Sequence, residues 1–380
     1  YLNDYQQQDG NTQTRYFTPT DTIDVIENTT NAIFKNKLEG QLTFENNADK
    51  KYLKNHLSFN GFWNANRGLI NRPDAQIKQE LHTPFFGIKN DLQLLRTLGK
   101  QLITFNSNTG FTQSNQDLLV QPGQFEAIFN DGDPYREIRQ LVSARKLYTD
   151  NSAGFTKALG RFTLSPKFGF SIENQQLDTD IFLENGEEVI DADFKNRTEF
   201  VETSIYFKNS FRFKSKDETW NLSLSTPFAF KSFQLEDANF EEQRDLDRLV
   251  FEPRFSLDKK LSAFWEVKTS VGLSYNFGEL QQLYYGFLLN GYRNLNRYNA
   301  PISEEARQNY RGGLNYRNPL KQLFLNASYS YSFTENNLLY SSNIGENGTT
   351  ILEAVARDNS FDNHSISAGG SKYFRKLKTT

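Results

Sequence analysis

Hydrophobic and polar side chains alternate strictly along residues 201–230. One face of this segment is mainly apolar, and the other face carries charged, amide and hydroxyl side chains. The apolar face contains Val201, Thr203, Ile205, Phe207, Phe211 and Phe213, then, after a polar turn at residues 216–218, Trp220, Leu222, Leu224, Thr226, Phe228 and Phe230. Successive side chains of a β-strand point to opposite faces, so the pattern predicts two antiparallel strands.

The length of these two strands indicates a membrane-spanning barrel. Strands of soluble proteins usually run about five or six residues, whereas each of these keeps its alternation for about a dozen. A strand that crosses a bilayer at about 45° needs around 9–11 residues. We therefore predict an all-β fold, an antiparallel transmembrane β-barrel, with the apolar face toward lipid and the polar face toward the lumen.

The same pattern recurs along the chain, with connections of two kinds. Short turns are predicted near residues 46–51, 98–100, 159–160, 258–260 and 318–319. Long polar segments are predicted at 65–84, 115–135, 175–197, 233–247, 279–304 and 337–361. Outer-membrane barrels have short periplasmic turns and longer outer loops, so the sequence predicts this asymmetry here.

Two regions and a strand count follow from this pattern. Residues 1–32 are predicted as an N-terminal loop or partial strand region, and residues 33–380 as the barrel segment. We count roughly thirteen strands in the sequence, and bacterial single-chain barrels have an even number. We therefore expect the chain to cover part of a larger barrel.

Composition agrees with a barrel and excludes other classes. Only 37% of the residues are hydrophobic although the chain has 34 Phe and 18 Tyr, and no apolar run could form a transmembrane helix. A barrel strand needs an apolar residue only at every second position. The net charge of -3 gives no basic footprint for nucleic acid, and the absence of cysteine excludes disulfides and thiolate metal sites.

Candidate chemistry is sparse. His56, His82 and His364 are the only histidines and lie far apart in the sequence, with His56 and His364 at predicted wall positions, so we predict no catalytic residue and no enzyme. Residues 130–133 and 178–193 contain carboxylates that could hold Ca²⁺. Their spacing fits no complete calcium loop, so no metal and no cofactor is predicted.

One aromatic and basic segment could bind a ligand. It contains Tyr284, Tyr285, Tyr292, Arg293, Arg297 and Tyr298. Aromatic faces and guanidinium groups suit sugars, peptides or anions. The alternative, which we favour, is that these side chains belong to an aromatic girdle or pack the loop. No ligand-binding residue is therefore assigned from the sequence.

Residues 283–301 and 362–378 resemble barrel repeats of TonB-dependent receptor-like proteins from Bacteroidota outer membranes. The resemblance implies a 22-stranded barrel when complete, an N-terminal plug domain inside it and a TonB-contacting segment. It also implies nutrient uptake, in many such proteins with a surface lipoprotein lid. Neither a plug nor a TonB-contacting segment is recognised in this sequence, so we expect the plug domain to be missing from this chain.

The predicted function is an outer-membrane TonB-dependent receptor or transporter barrel that takes up a nutrient or other large solute. The expected location is the bacterial outer membrane. The expected partners are membrane lipids, TonB and a surface lipoprotein lid, with no nucleic acid. Two alternatives stay open: a passive porin or secretion channel without TonB coupling, and a soluble all-β surface binding protein.

Overall fold

The computed structural model describes residues 1–17, 22–73, 75–183, 187–189, 191–280, 283–345 and 348–374. They form one sheet of nineteen strands, a single helical turn α1 (Glu126–Phe129) and a 3₁₀ turn at Ala192–Phe194. The strands are β1 (Leu2–Phe17), β2 (Thr22–Ala48), β3 (Lys51–Asn71), β4 (Gln76–Leu98), β5 (Gln101–Gln121), β6 (Ile138–Leu159), β7 (Phe162–Leu183), β8 (Glu187–Glu188), β9 (Asn196–Lys214), β10 (Trp220–Ser225), β11 (Phe228–Asp237), β12 (Phe240–Phe251), β13 (Arg254–Lys260), β14 (Trp265–Phe277), β15 (Leu288–Leu289), β16 (Asn294–Arg297), β17 (Glu304–Asn318), β18 (Leu323–Ile344) and β19 (Thr350–Lys372).

The long strands follow one another around the wall as antiparallel neighbours. Pairing runs in chain order from β1 to β7, and β7 then pairs with β9. The next wall strand consists of β10 and β11, and the one after it of β12 and β13, before β14, β17, β18 and β19 complete the series. Within the described residues the wall thus has fourteen long strands, where the sequence predicted roughly thirteen.

Two prolines divide these interrupted strands. Pro227 separates β10 from β11, and Pro253 separates β12 from β13. Proline has no N–H to donate to the ladder. Its carbonyl still accepts, since Glu252 N–H donates to Pro227 O at 3.2 Å and Leu273 N–H donates to Pro253 O at 3.0 Å. The wall therefore stays continuous across both prolines.

The predicted alternation of faces is confirmed. On β9, Ile205 and Phe207 are exposed on the outside of the wall, whereas Ser204 is buried on the inside. In the register, Phe207 lies opposite Phe168 of β7, which is also exposed. Apolar side chains of neighbouring strands thus form a band around the outside.

The strands are longer than the apolar band. β7 has 22 residues, and every outward position from Phe162 to Ile172 is apolar. Beyond Ile172 the outward positions become polar, beginning with Asn174, Gln176 and Asp178. Around 9–11 residues suffice to cross a bilayer, so the upper half of this strand continues as a wall above the band.

This extension corrects the prediction of long loops. β3 ends at Asn71 and β4 begins at Gln76, and β11 ends at Asp237 with β12 beginning at Phe240, so most of 65–84 and 233–247 is strand. Above the band the outward positions are polar, whereas inward positions such as Leu177 and Ile181 are apolar and buried, so the outward apolar pattern ends while the backbone ladder continues. Residues 122–137 and 278–303 are the longer connections that remain in the described part of the chain.

Turn predictions are mostly confirmed, with one correction. Gly99 and Gly160 occupy the turns after β4 and β6 with φ of 57° and 64°, which glycine adopts without strain. The turn predicted at 258–260 lies instead after Lys260, because Asp258 stays in β13 opposite Lys268 and accepts from Asn221. Residues 1–32, expected as loop or partial strand, contain β1 and the first part of β2.

The sheet curls so that distant segments approach each other at the rim opposite the short turns. A Cβ atom at Gly348, between β18 and β19, would lie 2.5 Å from Cγ2 of Val25 in β2. No helix among the described residues is long and apolar enough to cross a bilayer. We call the space enclosed by the inward faces the lumen.

Candidate functional site

The connection between β14 and β17, residues 278–303, folds back into the barrel. We call it the inner loop, and its residues 281 and 282 lie outside the described part. It contains β15 and β16, which pair with each other across a turn at Gly291, and β16 pairs in parallel with β19. The predicted loop at 279–304 is therefore confirmed as the link between wall strands, but it lies inside the lumen.

Apolar side chains hold the inner loop against the wall. Leu283, Tyr285, Leu289 and Leu295 are almost completely buried. The inward wall residues in the same two clusters are Leu177, Phe200, Phe233, Leu235, Val250, Phe277, Ile70, Ile77, Leu118, Val120, Ile138 and Ile181. Burying one large apolar side chain contributes about 1.5–3 kcal/mol, so the inner loop is a folded part of the protein.

Side-chain amides of the wall bind the backbone of the inner loop. Gln140 of β6 is fully buried, accepts from Leu289 N–H at 2.6 Å and donates to Leu289 O at 2.9 Å. Asn196 of β9 accepts from Gly286 N–H at 2.8 Å and donates to Gly286 O at 3.5 Å. Each amide thus bonds to both the N–H and the C=O of one loop residue, as the backbone of a neighbouring strand would. We call Gln140 and Asn196 the amide clamps.

A buried carboxylate fixes the far end of the inner loop. Glu27 of β2 accepts from Tyr292 Oη at 2.7 Å, Arg293 Nη1 at 3.2 Å and Arg72 Nε at 2.8 Å. The side chain of Glu27 is 4% exposed, and such a buried carboxylate is stable only with partners like these. Burial, assisted by the bond to Glu27, raises the pKa of Tyr292 to about 12.

Two arginines fasten the middle of the inner loop. Arg297 donates to the carbonyl of Tyr285 at 3.0 Å and pairs with Asp193 at 2.9 Å. Arg244 of β12 lies 4.6 Å from the ring centroid of Tyr285 and donates to the side chain of Asn299 at 2.8 Å. The inner loop is therefore held from several sides of the barrel.

Below the inner loop the lumen is polar, as predicted. Ion pairs lie along the inward faces, including Lys89 with Asp91 at 3.1 Å and Lys231 with Glu202 at 2.8 Å. Across the lumen, inward side chains of β13, β14, β17, β18 and β19 line a second cavity. Its lining includes Ser256, Asp258, Lys268, Arg311, Ser328 and Ser367. Both charge signs and many hydroxyls face inward, which suits a wet interior.

The structure places the predicted aromatic and basic residues in the inner loop. Tyr284 and Tyr285 are buried there, so they pack the loop and do not form a girdle at the membrane surface. Burial raises the pKa of Tyr284 and of Tyr298. Residues 283–301 resembled a barrel repeat, but in the structure they form no wall strand. Residues 362–372 lie in β19, and 375–378 lie outside the described residues.

The three histidines stay apart on separate wall strands, β3, β4 and β19. His56 contacts Thr43 Oγ1 at 2.8 Å, and His364 lies 3.0 Å from Asp362 and 2.8 Å from the Tyr329 hydroxyl. The predicted wall positions of His56 and His364 are confirmed.

The predicted acidic segments are dispersed. Asp180 pairs with Arg197 at 2.6 Å, and the carboxylate of Asp193 binds Arg297. In the turn at 130–133, Asn130 Nδ2 donates to the carbonyl of Asp133 at 2.9 Å. No group of three metal-ligating side chains occurs among the described residues.

Sequence reasoning missed Glu27, Gln140 and Asn196. Glu27 lies in a segment that was expected to be loop or partial strand, and the other two lie in predicted loops or their margins. A usable signal for Gln140 is that it stands between Ile138 and Val142 at inward positions of one strand. A polar side chain within an apolar row needs a partner.

No family model matches the sequence. No curated protein matches it either.

Solved structures share the fold. A double mutant of the Serratia marcescens hemophore receptor HasR, in complex with its hemophore HasA and heme, is 11% identical, with a TM-score of 0.50 over 97% of this chain and 61% of that chain. The unliganded ferric citrate transporter FecA is 10% identical, with a TM-score of 0.50 over 98% of this chain and 56% of that chain. The copper transporter OprC is 11% identical, with a TM-score of 0.52 over 96% of this chain and 57% of that chain.

The chain therefore spans about three-fifths of the length of these structures, and what it shares with them is the antiparallel β-barrel fold of TonB-dependent receptors.

Proposed function

We propose that this chain forms the wall of a receptor or transporter barrel in the bacterial outer membrane, with the inner loop closing its outer mouth. The observation that carries the proposal is the fastening of the inner loop by the amide clamps and by Glu27. A clamped loop across a polar lumen lets solute pass only when the loop or its surroundings rearrange. The outward apolar band supports a position in lipid.

The finer proposal is TonB-dependent uptake of a nutrient or other large solute. It is supported by the fold shared with HasR and FecA. In this proposal lipids surround the apolar band, a plug domain and TonB act from the lumen and the periplasm, and a surface lipoprotein covers the mouth. The chain itself performs no covalent chemistry and needs no cofactor.

Conductance in planar bilayers tests the closed mouth. We expect the purified chain to conduct rarely, because the inner loop obstructs the lumen. The double variant Gln140→Ala/Asn196→Ala should open much more often, since it removes both amide clamps. The control Gln113→Ala/Gln176→Ala changes two amides at outward-facing positions and should behave like the unmodified chain.

A steady, large conductance of the unmodified chain would instead establish a passive porin or secretion channel. Recovery of the chain in the aqueous phase without detergent would overturn the membrane barrel altogether and favour a soluble surface binding protein.

A further inference from the structure

A cavity of about 710 Å³ lies directly beneath the inner loop. The inner loop forms its roof with Tyr284, Leu288, Asn290 and Tyr298, and the strands β4 to β7 form its wall. We call it the subloop chamber. Ligand pockets typically measure about 300–1,000 Å³, so the subloop chamber has the size of a binding site.

Unused hydrogen-bonding groups face the subloop chamber. Thr112, Ser114 and Gln116 occupy successive inward positions of β5, and Asn290 lies in the roof. None of these four side chains has a hydrogen-bond partner within the described part of the protein. They therefore offer two hydroxyls and two amides, both donors and acceptors, to a molecule in the subloop chamber.

The subloop chamber is close to electrically neutral. Lys146 is a charged side chain on an inward position of its wall, and its ammonium group pairs with the carboxylate of Glu173 at 2.5 Å. Arg145 also borders it but belongs to the outward positions of β6, opposite Gln113 and Gln176. An anionic chelate or a free cation would gain little Coulomb attraction here. An uncharged ligand does not depend on such attraction, so the subloop chamber suits it better.

Aromatic rings complete the lining. Tyr298 is half-buried and lies edge-on to Tyr284, with ring centroids 5.0 Å apart, and edge-on to Tyr340 at 5.9 Å. Phe85 borders the opposite side, stacked on Phe62 at 4.7 Å. Rings fixed in this way present apolar surface beside hydrogen-bonding groups. The combination suits the C–H faces and hydroxyl edges of a sugar ring.

We propose that the subloop chamber binds a short uncharged saccharide, about two or three rings long for a cavity of this size. The hydroxyls would bond to Thr112, Ser114, Gln116 and Asn290, and the ring faces would lie against Tyr298 and Phe85. This inference rests on the proposed function and deepens it by naming the class of solute. It differs from the heme, ferric citrate and copper of the similar structures.

Calorimetry on the full chain in detergent tests this proposal. The probes are neutral trisaccharides (maltotriose, cellotriose, mannotriose and xylotriose), with trigalacturonate as an anionic probe of similar size. We expect at least one neutral trisaccharide to bind and trigalacturonate to bind about tenfold more weakly or not at all.

Variants then locate the bound sugar. Thr112→Val/Gln116→Ala removes hydrogen-bonding groups of the subloop chamber and should weaken binding about tenfold or more. Gln113→Ala, on the outward face of the same strand, should leave binding unchanged. Equal effects of the two variants would place the sugar elsewhere and overturn the proposal, as would failure of every neutral probe or preference for trigalacturonate.

The result is separable from the conductance test. A closed barrel that binds none of the neutral trisaccharides overturns the saccharide and leaves the transporter proposal standing. A steadily conducting barrel overturns the closed mouth whether or not sugar binds.

Discussion

Single polar side chains of the wall bind the backbone of the inner loop. Gln140 and Asn196 each supply both a donor and an acceptor to one residue of the loop backbone. A formed hydrogen bond contributes about 0.5–1.5 kcal/mol, but a buried group left without its partner costs about 1–3 kcal/mol. Removing a clamp therefore has a larger effect than the bond itself would suggest.

Gln140→Ala should loosen the inner loop without unfolding the wall. It leaves the N–H and C=O of Leu289 buried without partners, which should cost about 2–4 kcal/mol locally. Hydrogen exchange at Leu289 should accelerate strongly, while exchange in β6 and β7 stays slow. The control Gln176→Ala removes an outward-facing amide and should leave Leu289 protected. Unchanged protection in Gln140→Ala would show that apolar packing alone holds the loop.

Tyr292 gives the protein a pH dependence at the alkaline end. Its pKa is raised from 10.0 to about 12 in the folded protein, first by burial and then by the hydrogen bond to Glu27. Between these values the unfolded chain loses the phenol proton while the folded chain keeps it, so stability is full below pH 10 and falls as the pH rises toward 12.

Tyrosinate absorbance checks this assignment. Titration of the folded protein should show a late-ionising fraction of tyrosines, and Tyr292→Phe should reduce it. A late fraction that is unchanged in Tyr292→Phe would contradict the buried contact with Glu27.

At the scale of the strand, one continuous ladder passes through two environments. The lower half of β7 presents Phe162, Phe168 and Ile172 to the outside, and the upper half presents Asn174 and Asp178. Backbone pairing with β6 and β9 continues through both halves. The boundary between lipid and water therefore falls within strands, near the position where outward residues become polar.

A pair of substitutions on β7 locates that boundary. Phe168→Arg should cost about 2–4 kcal/mol of folding free energy, because it places a charge in the apolar band. Asn174→Arg, on the same face above the band, should change it by less than about 0.5 kcal/mol. Unfolding by denaturant in lipid or detergent measures both. Equal losses would mean that the band is not in contact with hydrocarbon.

Spin labels test the two faces of β9 directly. The chain has no cysteine, so single cysteines at Phe207 and Lys208 can be labelled without background. In bilayers we expect the label at Phe207→Cys to be reached by oxygen and the label at Lys208→Cys by a water-soluble relaxation agent. Water contact or immobilisation in a protein core at position 207 would exclude a lipid-facing wall.

At the scale of the whole molecule, the curvature of the sheet brings the last hairpin against β2. Gly348 has a φ of 71° and lies so close to Val25 that a Cβ atom could not fit without movement. The inner loop adds contacts across the lumen, from Gln140 to Glu27. The curvature and the inner loop together bring distant wall strands, among them β2, β6 and β9, into contact with one segment.

Glycine substitutions measure this long-range contact. Gly348→Ala and Gly99→Ala share the strain of positive φ, about 1–3 kcal/mol, but nothing lies within 4 Å of a Cβ at Gly99. We therefore expect Gly348→Ala to lose more unfolding free energy than Gly99→Ala. Equal losses would mean that the last hairpin and β2 do not touch.

The sequence by itself determined the class of fold and the orientation of the strands. Alternation such as that of Ile205 and Phe207 against Ser204 has a period of two, and this local property assigns faces without knowledge of neighbours. The turns at Gly99 and Gly160 were equally local. Above the band the outward residues become polar, so strand ends such as Asn71 and Gln76 could not be located from the outward apolar pattern.

Only the tertiary structure decided what the segment at 278–303 does. Its tyrosines and arginines were visible in the sequence. The wall residues that bind the segment, Glu27, Gln140 and Asn196, are separated from their partners in it by 90 to 266 residues. No local pattern relates positions so far apart, because their contact depends on the curvature of the entire sheet. The strands could therefore be predicted from the chain, and the contacts of the inner loop could not.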